Sequence, residues 1–171
     1  MPTATPIPVP FVLETSAFPP GQSIPLLYTC DGSNISPSLF WTAPPTGTQT
    51  LAIVVDDPDA PGTWDHWVVF NLPANLRELP EGQPGSAILP SGGIQGVNRF
   101  GTLGYKGPCP PNGPAHTYRF SLYAVNQSLP LSAGASKAQV LAAIEGHILA
   151  ESLFTGTYQI ASEEDGGGGD Y

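Results

Sequence analysis

Thr50-Leu-Ala-Ile-Val-Val-Asp-Asp-Pro-Asp-Ala-Pro-Gly-Thr-Trp-Asp-His-Trp-Val-Val-Phe-Asn-Leu72 contains two apolar runs with a Pro-, Gly- and Asp-rich stretch between them. Residues 50–57 and 66–72 are nearly continuous in aliphatic and aromatic side chains, where a half-exposed strand would alternate. Continuity of that kind belongs to strands covered on both faces, so both are read as central. The eight residues 58–65 between them suit antiparallel neighbours that meet at one end of a sheet.

Outward from this hairpin, further strand-like segments lie at 9–14, 25–29, 38–42, 94–98, 116–125 and 155–161, with the central pair spanning 49–57 and 64–72. Most are bounded by Pro, Gly or Asn, as short sandwich strands are. One helix is expected from Ser136 to about Ala150, because Ser136 and Gln139 have capping-box spacing and Val140, Leu141, Ile144 and Ile148 follow at helical intervals. Gly146 inside it would cost about 1 kcal/mol relative to Ala. The reading is therefore all-β in the main, one domain over 1–161, followed by an acidic, glycine-rich tail over 162–171 that cannot bury apolar surface and is expected to be disordered.

At 171 residues the chain can bury a core without a metal or a disulfide. Net charge is −9, but Glu163, Glu164, Asp165 and Asp170 belong to the tail, which leaves the rest mildly acidic. Five Lys and Arg, scattered singly, form no basic stripe for nucleic acid. No leader pattern and no transmembrane segment is read, so the expected location is the cytoplasm. Cys30 and Cys109 are too few for a disulfide framework and are expected as thiols there.

Three titratable residues stand at strand ends. Asp57 closes one central strand, His66 opens the other, and His116 opens the 116–125 strand. By alternation Asp57 shares a face with Leu51, Ile53 and Val55, His66 shares one with Val68 and Phe70, and His116 shares one with Tyr118, Phe120 and Leu122. A polar group at the rim of an apolar core needs a partner. A histidine at a strand end is most often structural; three that converge are a candidate site. Asp57 and His66 could meet at the hairpin end, where a carboxylate would favour an imidazolium able to donate to an anion. Backbone amides of Cys109 and Asn112 in the Pro-rich loop before His116 could serve the same anion. Affinity is then expected to fall between about pH 6 and 8. Trp64 and Trp67 read first as core, and His147 as a surface residue. Pro61 and Val68 occupy positions where a calcium loop needs ligands, so calcium is dismissed. No metal, cofactor or catalytic residue is assigned.

Asp57-Pro-Asp-Ala-Pro61 followed by His66-Trp67 resembles the first signature of the phosphatidylethanolamine-binding (Raf kinase inhibitor-like) family. Gly104-Tyr-Lys-Gly-Pro-Cys-Pro-Pro-Asn-Gly113 leading into His116-Thr-Tyr118 resembles the second. Asp31-Gly-Ser-Asn-Ile-Ser-Pro37, Trp41 and Leu79-Pro-Glu-Gly82 are similar to the bacterial and archaeal branch. Thr117 stands where the family usually has Arg, so contacts of that Arg are not carried over. The resemblance implies a Greek-key β-sandwich of two antiparallel sheets with a few peripheral helices. It also implies an anion pocket lined by Asp57, Pro61, Trp64, His66, Cys109, Pro110, His116 and Tyr118, for phosphate, phosphoethanolamine-like groups or a phospholipid headgroup, without turnover. It further implies a cis Ala60-Pro61 bond and neighbouring cysteines. Two other readings remain open. One is an inhibitor that binds a kinase or protease as its protein partner; the other is a hydrolase with His66 or His116 as general base. Oligomeric state is open too, a homodimer included.

Overall fold

The structure, a computed structural model, describes residues 9–160, and the expected 162–171 tail lies outside them. The segment read first is an antiparallel hairpin of β3 (Thr50–Asp57) and β4 (Trp64–Pro73) at the middle of the larger sheet. With β6 (Ile94–Gln95), β7 (His116–Val125) and β8 (Ile148–Tyr158), that sheet runs in the order β6-β4-β3-β7-β8. The smaller sheet joins β1 (Leu13–Glu14), β2 (Leu39–Trp41) and β5 (Glu78–Leu79) in the order β1-β2-β5. All these pairings are antiparallel. Within the larger sheet β3, β4 and β6 follow one another and β7 then returns to the far side of β3, which is Greek-key order.

Every residue of β3 is buried, which accounts for its unbroken apolar run. Leu51, Ile53 and Val55 face the smaller sheet and pack with Trp67, Val69, Phe120 and Leu122 against Leu13, Leu39, Trp41 and Leu79. On the other face Ala52, Val68 and Phe70 pack with Val140 and Ile144 of α1 (Lys137–Ile144). Each such side chain contributes roughly 1.5–3 kcal/mol by leaving water. Among the described residues no helix is long and apolar enough to cross a membrane.

Four expectations are corrected. The helix has the capping box, with Ser136 and Gln139 bonded reciprocally at 3.2 and 2.9 Å, but it ends at Ile144. Gly146 adopts φ +80°, the left-handed turn that closes a helix, and frees 148–158 to form β8. Residues 25–29 are no strand: Pro25, at φ −61°, starts a 3-10 turn over Leu26–Tyr28. Ala60-Pro61 is trans, since no described peptide bond is cis. Residues 60–63 form a turn closed by Thr63 N–H donating to Ala60 O at 3.0 Å, with Gly62 at φ +71°. A type II turn of this kind places a trans proline second.

The fourth correction concerns the cysteines. Cys30 and Cys109 are neighbours, Cα atoms 5.4 Å apart, and they are joined as a disulfide where thiols were expected. Their loops are in intimate contact. Cys30 N–H donates to Pro108 O at 3.1 Å, Tyr105 Oη–H to Tyr28 O at 2.7 Å, and Gly107 N–H to Asn34 Oδ1 at 2.7 Å. A Cβ on Gly107 would lie 1.9 Å from Tyr28 O, so only glycine permits this approach. Denatured protein without reductant should show no free thiol. Reduction should lower the unfolding free energy by roughly 2–4 kcal/mol, read from denaturant midpoints with and without reductant; two titratable thiols and an unchanged midpoint would refute the bond.

Candidate functional site

Asp57 ends β3 on the sandwich face and is fully buried. A carboxylate there must be satisfied locally. Its Oδ1 accepts backbone N–H groups from Asp59 at 2.9 Å and Ala60 at 3.2 Å, the Asx-turn habit of an Asp-Pro-Asp-Ala sequence. Its Oδ2 lies 2.6 Å from His116 Nδ1, at the start of the neighbouring strand β7. Asp59 Oδ2 takes Thr117 N–H at 2.7 Å, so the turn is stitched to β7 through the backbone of the residue that stands in for the usual Arg.

Strict alternation would put His66 beside Val68 and Phe70 on the helix face; that expectation is corrected, because His66 reaches the same place as Asp57 by an irregularity. In the β3–β4 register Val55 faces Trp67 and Asp56 faces Asp65, which makes His66 the extra residue of a bulge. Its ring turns toward the sandwich, with its centroid 5.3 Å from Tyr118 and 5.7 Å from Phe100. His66 Nδ1 lies 2.6 Å from Lys106 O, and Lys106 N–H donates to His66 O at 3.0 Å. The imidazole is fully buried, and burial pulls its pKa down to about 4 against the opposing pull of the Lys106 carbonyl and of Asp57. His66 is therefore neutral near pH 7, with Nδ1–H donating to Lys106 O, and the imidazolium expected there is corrected.

Tyr118 lies between the two histidines, stacked on His116 at 6.5 Å between centroids. Trp64 is the register partner of Asp57, packs edge-on to Phe100 at 5.5 Å, and is half-buried. Asp57, Trp64, His66, His116 and Tyr118 thus form one contiguous group. Pro61 is exposed at the turn that leaves Asp57. Cys109 and Pro110 are buried in the loop that follows Lys106, with Cys109 in the disulfide. Trp67 is core, its Nε1–H donating to Gln95 Oε1 at 2.7 Å.

Three participants were missed from the sequence: Phe100, the Lys106 carbonyl, and Arg99, whose guanidinium carbon lies 5.0 Å from the Trp64 ring centre. The one signal was a turn-forming Asn98-Arg-Phe-Gly101, in which Asn98 Oδ1 accepts the Phe100 N–H at 3.0 Å. Nothing in that signal says which strand the turn folds over.

On the opposite face the neighbouring Asp56 receives Arg119 in two bonds of 2.9 Å and Lys137 at 3.2 Å, while Lys137 also reaches Asp65 at 2.6 Å. Those two cations are committed to the helix side. Among the described residues no group of three His, Cys, Asp or Glu is arranged to hold a metal ion.

Residues 14–159 match the family model described as phosphatidylethanolamine-binding protein. The chain is 51% identical over 148 residues to a UPF0098 protein of Methanothermobacter thermautotrophicus, covering 86% of this chain and 97% of that protein. It is 45% identical over 146 residues to a UPF0098 protein of Aquifex aeolicus, covering 84% and 85% respectively. Among solved structures, Escherichia coli YbcL, described as a new member of the mammalian PEBP family, superposes with a TM-score of 0.83 at 34% identity, over 88% of this chain and 99% of that one. A phosphatidylethanolamine-binding protein homolog of Chlamydia trachomatis superposes with a TM-score of 0.79 at 37% identity, over 88% and 98%.

The neutral His66 sets a pH dependence of stability. In the unfolded chain this histidine titrates near pH 6.5, and in the native state near 4. Above pH 6.5 both states are neutral and its contribution is intact. As pH falls toward 4 the unfolded chain alone takes up the proton, so stability drops by on the order of 3 kcal/mol. Denaturant unfolding at several pH values should show this slope in the wild type and a shallower one in His66→Gln. Parallel curves would mean that His66 is not held neutral.

Proposed function

The chain belongs to the phosphatidylethanolamine-binding protein family, and on that premise we propose that the Asp57–His116 pair, backed by Tyr118 and His66, receives a phosphate-type oxyanion. This group is common to inorganic phosphate, phosphoethanolamine and a phospholipid headgroup. The observation that carries the reading is the 2.6 Å contact between a fully buried carboxylate and a histidine whose side chain is 14% exposed. With Nδ1 held by Asp57, the direction of the Nε2 edge is set in advance. A doubly protonated ring donates a charge-assisted bond to the oxyanion from that edge. A neutral ring accepts there, and hydrogen phosphate brings the proton to be accepted. Inorganic hydrogen phosphate thus suits either form of the ring, whereas a phosphodiester headgroup or a fully ionised phosphomonoester, with no proton to give, is received by the doubly protonated ring.

His66 has a different part. Neutral and tied to Lys106, it positions the loop after β6 against Tyr118 rather than attracting charge. The proposed activity is binding, without turnover. A His–carboxylate pair is also half of a general-base arrangement, so the hydrolase reading is tested alongside it.

Titration calorimetry with inorganic phosphate and phosphoethanolamine should give measurable binding to the wild type. His116→Ala should weaken it at least tenfold, the equivalent of losing a charge-assisted hydrogen bond of roughly 1.5–3 kcal/mol. No hydrolysis of nitrophenyl phosphate or acetate esters above background is expected. Turnover abolished by His116→Ala would make the protein a hydrolase, and undiminished binding by that variant would make the histidine structural.

A further inference from the structure

Arg99 is absent from both sequence signatures, and the fold brings it to the site. We propose that Arg99 contacts the bound anion and makes the site prefer a doubly charged phosphomonoester over a phosphodiester or a carboxylate; this rests on the oxyanion-binding reading above.

The chain has five Lys and Arg. Arg119 and Lys137 are held by Asp56 and Asp65 on the helix side. Arg77 spends its guanidinium on the carbonyls of Ala74 and Leu76, both at 2.8 Å. Lys106 meets the site through its backbone. Arg99 differs from all of these. It is exposed, and among the described residues its guanidinium has neither the carboxylate partner of Arg119 and Lys137 nor the carbonyl partners of Arg77.

Its position is nevertheless fixed. Arg99 N–H donates to Asp65 O at 2.8 Å, the adjoining Asn98 turn is held by its own side chain, and the guanidinium lies over Trp64 at 5.0 Å. Trp64 is the register partner of Asp57, and Phe100 links it to His66. The cation is therefore parked on the aromatic wall beside the Asp57–His116 pair.

A guanidinium lying on an aromatic face keeps its N–H donors directed around its edge, in the fork that matches two phosphate oxygens. Because Trp64 already restrains the side chain, less conformational freedom is lost when a ligand is gripped. Charge sets the preference. Asp57 puts a negative charge against the site, which disfavours a second negative charge on the ligand unless a cation offsets it. Arg99 is that cation, and its attraction for a dianion is twice that for a monoanion at equal distance.

The test uses calorimetry at about pH 8, where phosphomonoesters are dianionic. The ligands are inorganic phosphate, phosphoethanolamine, the soluble diester glycerophosphoethanolamine, and acetate. Arg99→Gln should weaken the first two roughly tenfold and the last two less than about threefold, with Arg99→Lys recovering part of the loss. Arg77→Gln, a control of equal charge at a cation whose guanidinium is spent on the carbonyls of Ala74 and Leu76, should stay within about threefold of wild type for every ligand. Unchanged monoester affinity in Arg99→Gln, with binding still lost in His116→Ala, overturns the role of Arg99 and leaves the pocket reading standing. Equal losses in Arg99→Gln and Arg77→Gln overturn it as well, since net charge alone would then act. A wild type that binds none of the four ligands overturns both.

Discussion

A carboxylate buried at the end of a central strand has to be surrounded by donors, and Asp57 organises this end of the molecule by that demand. An unpaired charge in such a place costs several kcal/mol, more than the margin most domains can lose. The donors come from three directions. The turn after Asp57 folds back to offer the N–H groups of Asp59 and Ala60, which leaves Pro61 as the second residue of a tight trans turn. The imidazole of His116 comes from the start of β7, and Asp59 in turn holds the Thr117 amide. A single buried charge thus joins the hairpin to the strand that the chain reaches much later.

Two adjacent aspartates divide the labour of the sheet's two faces. Asp56 points toward the helix and absorbs Arg119 and Lys137, while Asp57 points into the sandwich and engages a histidine. The separation keeps the strong cations away from Asp57, so the pairing on the sandwich side is left to imidazole. The bulge at His66 extends the arrangement: Asp65 stays on the helix side while His66 and Trp67 both turn inward. Without the extra residue the two could not share a face.

Local chemistry was legible in the sequence wherever a run of residues carried its own signal. The unbroken apolar runs of β3 and β4, the alternation of β7 and the Ser136–Gln139 box all stand as read. Asp57, His116 and Tyr118 were legible because alternation assigns faces, but alternation places His66 with Val68 and Phe70 on the helix face, and only the bulge turns it inward. What escaped depends on contacts between distant segments. The acceptor of the His66 proton is a carbonyl forty residues on, and carbonyls have no letter in a sequence. Arg99 looks like any solvated charge until the turn that bears it is folded over Trp64. The cysteines were judged by number and compartment, whereas their bond follows from two loops locked together at Gly107. Gly146 was ambiguous in kind, since a glycine can interrupt a helix or end it.

The Greek-key order has a consequence for biosynthesis. β3 has β4 on one edge almost at once, but its other edge belongs to β7, which begins 59 positions after β3 ends. At ordinary translation speeds that edge stays open for roughly 3–12 seconds. It exposes an unpaired central strand with an apolar run from Leu51 to Val55, the kind of template on which nascent chains pair wrongly with one another. The interval also leaves Asp57 waiting for His116. Asp57 also stands where sequences commonly place a charge to flank an unavoidable hydrophobic strand, so one side chain meets two demands, one in the finished fold and one before it is complete.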